Sequence, residues 1–181
     1  VTLTSDVLLE PDDGSLGPLL RLADDRLAPG AGYGRHLHRA VDVVAVVLAG
    51  SLRHAWGSGA VLTAGDVAVL RAGTGLEHDE VAGDDGAHVL QTYLRSARPD
   101  DDAAHEVHPN ADGWVDLGRP DARLWTETVA GGTSATVPPG LLVLAGPDGV
   151  RVEQQAGGPV SGPATAVVWQ LDLTRPAWAR D

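Results

Sequence analysis

From residue 43 onward apolar residues fall in short blocks broken by glycine: VVAVVL at 43–48, Gly50, SLRHAW at 51–56, a GSG turn at 57–59, then AVLTAGDVAVL at 60–70. Blocks this short, rich in Val and Leu and bounded by Gly and Asp, predict strands joined by tight turns. Ala64-Gly65-Asp66 supplies one turn, RAGTG at 71–75 a loop and Gly83-Asp84-Asp85-Gly86 another, before a strand AHVLQTYL at 87–94. Between residues 40 and 95 no helical period is long enough to outrun the glycines. Leu8-Leu9 and the stretch Leu19 to Leu22 suggest two short strands ahead of the Pro29-Gly30-Ala31-Gly32 turn.

Ser96 to Asp112 breaks this pattern, because Pro99, three consecutive Asp, Pro109 and Asn110 cluster there without apolar periodicity. A linker or long connection is expected. Strand-like pieces resume with ARLWTETV at 122–129, LLVLAG after a PPG turn, VRVEQ after Pro147-Asp148-Gly149, and AVVWQLDL at 166–173. The division expected is a first β unit over 1–98 and a connection with a smaller second β unit over 99–181. No tandem repeat is visible, although two β units in series are compatible with a degenerate duplication. Trp114, Trp125, Trp169 and Trp178 all fall in the second unit, where core packing or barrel closure accounts for them.

Composition narrows the chemistry. A net charge of -12 repels phosphate backbones and anionic lipid, which argues against direct nucleic-acid contact. All 13 basic residues are Arg, so Schiff-base lysines and a Walker-type lysine are excluded. Cys is absent as well, and any bound metal must use imidazole and carboxylate. The start Val1-Thr2-Leu3-Thr4 has neither a basic nor an apolar leader region, and no segment reaches membrane-span length. A cytoplasmic protein without membrane contact is expected.

Two short pairs carry the informative chemistry: His36-Leu37-His38 and His78-Asp79-Glu80. On a strand, i and i+2 side chains share a face, so each pair offers two ligands toward one point. Neighbouring strands with those faces inward would bring three imidazoles and one carboxylate together, a set that suits divalent Fe, Mn, Ni, Cu or Zn.

The stretch GYGRHLHRAVDVVAVVLAGSLRHAWGSGAVLTAGDVAVLRAGTGLEHDE resembles the cupins and, within them, the pirins, with AGTGLEHDE at 72–80 the most specific part. The resemblance covers roughly a third of the chain. It implies an all-β, jelly-roll cupin barrel with a smaller, degenerate C-terminal β unit, and it places the pirin metal ligands on His36, His38, His78 and Glu80. One divalent transition metal is expected, Fe(II) favoured. Because pirin-like proteins include enzymes that open the flavonol quercetin with dioxygen, the implied activity is a dioxygenase acting on a flavonol or another small enol, with Glu80 as the catalytic base. The alternative implied is a non-enzymatic metal- or redox-sensing protein that binds a regulatory protein partner.

The chain departs from the pirin pattern at Leu37, usually Pro, at Asp42, where a Glu is usual, and at Ala64 in the turn. AWGSG after His54 also replaces a longer polar hairpin. No His follows His108, so no second metal site is expected in the C-terminal unit. His54 reads as a satisfied, partly buried His, with a supporting role beside the metal as the lesser alternative. Of His88 and Gln91, on opposite faces of one strand, at most one faces the cavity. His105 and His108, in DDDAAHEVHP, read as solvated loop. HPNADGWVD is rejected as a calcium loop because Arg119 stands where a bidentate Glu is needed.

Overall fold

The computed structural model describes residues 2–11 and 13–174. Fifteen strands are present: β1 (Leu3–Leu9), β2 (Leu19–Leu27), β3 (His36–His38), β4 (Val41–Ala55), β5 (Ala60–Thr63), β6 (Val67–Arg71), β7 (Leu76–Arg95), β8 (Ala104–His108), β9 (Gly113–Val115), β10 (Ala122–Val129), β11 (Ser134–Val137), β12 (Gly140–Gly146), β13 (Gly149–Gln155), β14 (Gly158–Ser161) and β15 (Ala164–Leu171). Among the described residues there is no helix, hence none long and apolar enough to cross a membrane. The first sheet runs β1-β2-β7-β4-β6-β8, with β3 added to β7 and β5 to β4. A second runs β13-β12-β15-β10-β9, and β11 pairs with β14. All named strand pairs are antiparallel.

The unbroken VVAVV run is explained by burial on both faces of β4. Ala45 and Val47 join Leu52, Leu62, Ala68 and Val89 in one apolar cluster inside the first unit. Val44 and Val46 belong to another that also holds Leu22, Leu90 and Leu94 and, from the second sheet, Leu124, Val143, Val167 and Trp169. One strand therefore builds two cores. Trp125 and Trp169 are core residues as expected, but Trp114 is 45% exposed, with the Arg123 guanidinium stacked 3.9 Å above its ring. Trp178 lies outside the described residues.

Three local expectations are corrected. Gly50 does not end a strand: β4 continues through it to Ala55. Gly83–Gly86 is not a hairpin loop either, since β7 runs on through it to Arg95. Ladder partners pass from Leu52↔Ala82 to Gly50↔Ala87, so residues 83–86 form a bulge opposite Ser51. Gly50 sits at φ 70°, and a Cβ there would meet the Gly86 carbonyl oxygen at 2.1 Å. Gly50→Ala should cost about 2 kcal/mol or more from the left-handed backbone and the clash together, read as a lower urea midpoint at unchanged slope. The third correction concerns the acidic connection, which contains β8. It pairs with β6 in full register, Val67↔His108 to Arg71↔Ala104, and thereby enters the first sheet.

Candidate metal centre

Because β3 is antiparallel to the first turns of β7, His36 lies opposite His78 and His38 opposite Leu76. On the other side of β7, Glu80 lies opposite His54 of β4. Alternation then turns His78 and Glu80 inward while Glu77 and Asp79 point away. Arg35 Nη2 pairs with Glu77 Oε2 at 2.8 Å on that outer side.

His36, His38 and His78 meet in one compact group with their ligand atoms all within 4.8 Å of one another. His36 Nε2 is 2.9 Å from His38 Nε2 and 3.1 Å from His78 Nε2. Two nitrogens sharing one ion at right angles, each about 2.1 Å from it, would stand about 3 Å apart. His36 Nδ1 lies 2.6 Å from the Gly34 carbonyl oxygen and carries the ring hydrogen there, which leaves its Nε2 lone pair facing the other two rings, and a cation between them would accept all three lone pairs. Glu80 stands at the edge of this group, its Oε2 3.8 Å from His78 Nε2.

The surroundings set the protonation states. Burial pushes His78 down to about 4 and lowers His38 as well, with His36 adding to the effect at His38, so both rings are neutral at neutral pH. Burial works to raise the Glu80 carboxyl, but His54, His78 and Gln91 outweigh it and hold the group below the usual carboxylate range. Gln91 Nε2 donates to Glu80 Oε2 at 3.0 Å. His54 Nε2 lies 2.7 Å from Glu80 Oε1, but neither atom makes a well-formed hydrogen bond. His78 Nδ1 and Gln91 Oε1 are also buried and unpaired. Orphaned polar atoms this deep are rare; among the described residues, those on His54, His78, Glu80 and Gln91 fall in this cluster, while those on Asp42, His108 and Trp169 lie outside it. The residues present fit a divalent ion.

Two tyrosines missed in the sequence flank the group. Tyr93 meets the His38 ring edge-on at 5.5 Å, and Tyr33 lies 6.4 Å from the His36 ring, its hydroxyl donating to the fully buried Asp25 at 2.8 Å. Burial, then the nearby Glu80, pushes Tyr93 up to about 12; burial and Asp25 raise Tyr33 further, so both phenols keep their protons. Tyr93 was legible as the i+2 neighbour of Gln91 on one strand face.

Of the lesser candidates, His54 is buried rather than partly buried, with Nε2 2.7 Å from Glu80 Oε1. Gln91 faces the cavity, while His88 on the opposite face pairs with Asp24. Solvated loop is wrong for His105: β8 carries it inward, half-buried, with Nε2 3.1 Å from His54 Nδ1. His108 also lies in β8, partly buried, 3.6 Å from Glu106. Asp42 takes no part in the metal group and instead pairs with Arg119 at 2.7 Å. A groove of about 680 Å³ between Arg53, Trp56 and Glu77 shares only His54 with the polar cluster.

The antiparallel sheets, without helix among the described residues, are those of an all-β cupin fold. Residues 9–94 match the Pirin family model. A Zymomonas mobilis protein with a provisional quercetin 2,3-dioxygenase name is 38% identical over 73 residues, 39% of this chain and 31% of that one. The chain thus matches about a third of the length of such curated relatives. Over nearly its whole length it superposes on GK1651 from Geobacillus kaustophilus, with TM-score 0.69, 18% identity and coverage of 97% of this chain and 92% of that one. Bacterial pirin YhhW of Escherichia coli, in complex with nickel(II), gives TM-score 0.62 at 18% identity, covering 94% and 87%. Over residues 9–94, just under half of its length, the chain is similar to the Pirin family, and its all-β fold is the one these solved structures share.

Proposed function

We propose that this protein binds one divalent first-row metal ion through His36, His38, His78 and Glu80, and acts as a dioxygenase on a flavonol or another small enol. The observation that carries the metal assignment is the convergence of three buried or half-buried ring nitrogens beside a buried, ionised carboxylate. Support for the substrate class comes from the quercetin 2,3-dioxygenase name of the sequence relative.

The ion, when bound, would supply Lewis acidity to the enol oxygen of the substrate. The remaining work falls to the protein. Neutral His38 and His78 present lone pairs without first losing a proton. Glu80 Oε1, which has His54 Nε2 beside it, takes the enol proton, and Gln91 holds Oε2 so that the carboxylate cannot swing away. Tyr33 and Tyr93 remain protonated and present their rings to the imidazoles, narrowing the approach.

Protein purified without oxygen should carry about one equivalent of first-row metal, and iron-loaded protein should release carbon monoxide from quercetin. Metal-free wild type under those conditions overturns the site. Full loading without turnover of quercetin or several simpler enols overturns the enzyme assignment and leaves a metal-binding protein.

A further inference from the structure

The polar cluster does not stop at Glu80. His54 Nδ1 lies 3.1 Å from His105 Nε2, with the two rings 34° apart in plane and 5.1 Å between centroids. His54 is 3% exposed, and among the described residues His105 is the one hydrogen-bond partner of its ring. We propose that His105 is a positioning residue for Glu80 that acts by fixing the tautomer of His54; this rests on the preceding assignment of Glu80 as the proton acceptor.

A ring nitrogen 2.7 Å from a carboxylate oxygen is repelled if it presents a lone pair and attracted if it carries hydrogen. His54 Nε2 therefore bears the hydrogen, and Nδ1 is the acceptor. His105 supplies the donor that this requires, Nε2–H. Without it, His54 Nδ1 would face a buried position with no donor, and the alternative tautomer, with a bare Nε2 against Glu80, would gain population. The carboxylate would then lose its neighbour on the Oε1 side and keep only Gln91 on Oε2. The part is assigned to a residue from outside the pirin-matching segment of 9–94, brought in by the pairing of β8 with β6.

The test compares wild type, His105→Leu and His105→Gln, whose amide can place a donor near the same point. Imidazole nitrogen NMR of the whole metal-free chain should show Nε2–H on His54 in wild type and in the Gln variant, and a mixture of tautomers in the Leu variant. Metal content after loading with excess metal should match wild type in all three, because His36, His38 and His78 are untouched by the change. On enol substrate the Leu variant should lose kcat about 10- to 100-fold at unchanged KM, with Gln restoring most of it. An Nδ1–H tautomer in wild type overturns the inference, as does a Leu variant with the tautomer and kcat of wild type. If the Leu variant fails to fold, the wild-type and Gln tautomers still decide. Should wild type turn over no enol, the catalytic assignment fails separately, and the tautomers still report on the positioning contact.

Discussion

His78→Ala should reduce bound metal from about one equivalent to near none, with affinity falling at least 100-fold, beyond the 10- to 100-fold typical of residues behind the ligands. His78 is the ligand candidate that touches both parts of the site, 3.1 Å from His36 and 3.8 Å from Glu80, and it is almost fully buried. Binding to the folded state alone contributes about 2.7 kcal/mol when free metal is a hundred times Kd, which for a chain of this size raises the wild-type Tm by roughly 5–10 °C. The Ala variant should show no such rise. Elemental analysis and a melt with and without nickel(II) measure both effects, and equal metal in variant and wild type would remove His78 from the site.

The second large effect lies away from the metal. Arg119→Met should destabilise the protein by about 3–5 kcal/mol, as breaking a buried ion pair does. The Arg119 side chain is 2% exposed and bonds Asp42 of β4, Asp121, and the Arg95 carbonyl at the end of β7. Burial already raises the Asp42 carboxyl despite the pull of Arg119. A carboxyl with a raised folded pKa penalises the fold in full above that value; the penalty shrinks as pH falls through it and is gone below the unfolded value of about 3.9. The deficit of Arg119→Met should therefore shrink as pH is lowered from neutral toward and below the folded pKa of Asp42. Asp42→Asn with Arg119→Met should recover a large part of the loss. Urea melts across pH read all three, and a deficit that grows toward acid would contradict the account.

Most strands and the shared facing of the two short pairs were legible because they depend on local period: alternate residues share a face, and Gly or Asp marks where a strand turns. β10 falls on residues 122–129 as expected, and the His36/His38 and His78/Glu80 pairs each face inward. What escaped depends on partners far away in sequence. β8 has Pro109 beyond it and three Asp before it, so its composition reads as loop, and only pairing with β6 makes it a strand. His105 consequently had no face to be assigned to. Arg119 and Asp42 are separated by 77 positions, and nothing near either one signals the other. Gly83–Gly86 has the residues of a turn, yet these are accommodated as a bulge inside a longer strand.

That bulge bears on how chain length can vary. β7 carries His78 and Glu80 before residues 83–86, and Leu90 and Leu94, which meet the second unit, after them. In an uninterrupted strand, one inserted residue would invert every side chain on one side of it, either turning out His78 and Glu80 or exposing the interface leucines. The unpaired stretch lets either half of the strand keep its own phase. Insertions and deletions gathered at 83–86 are therefore the length changes that this architecture can inherit.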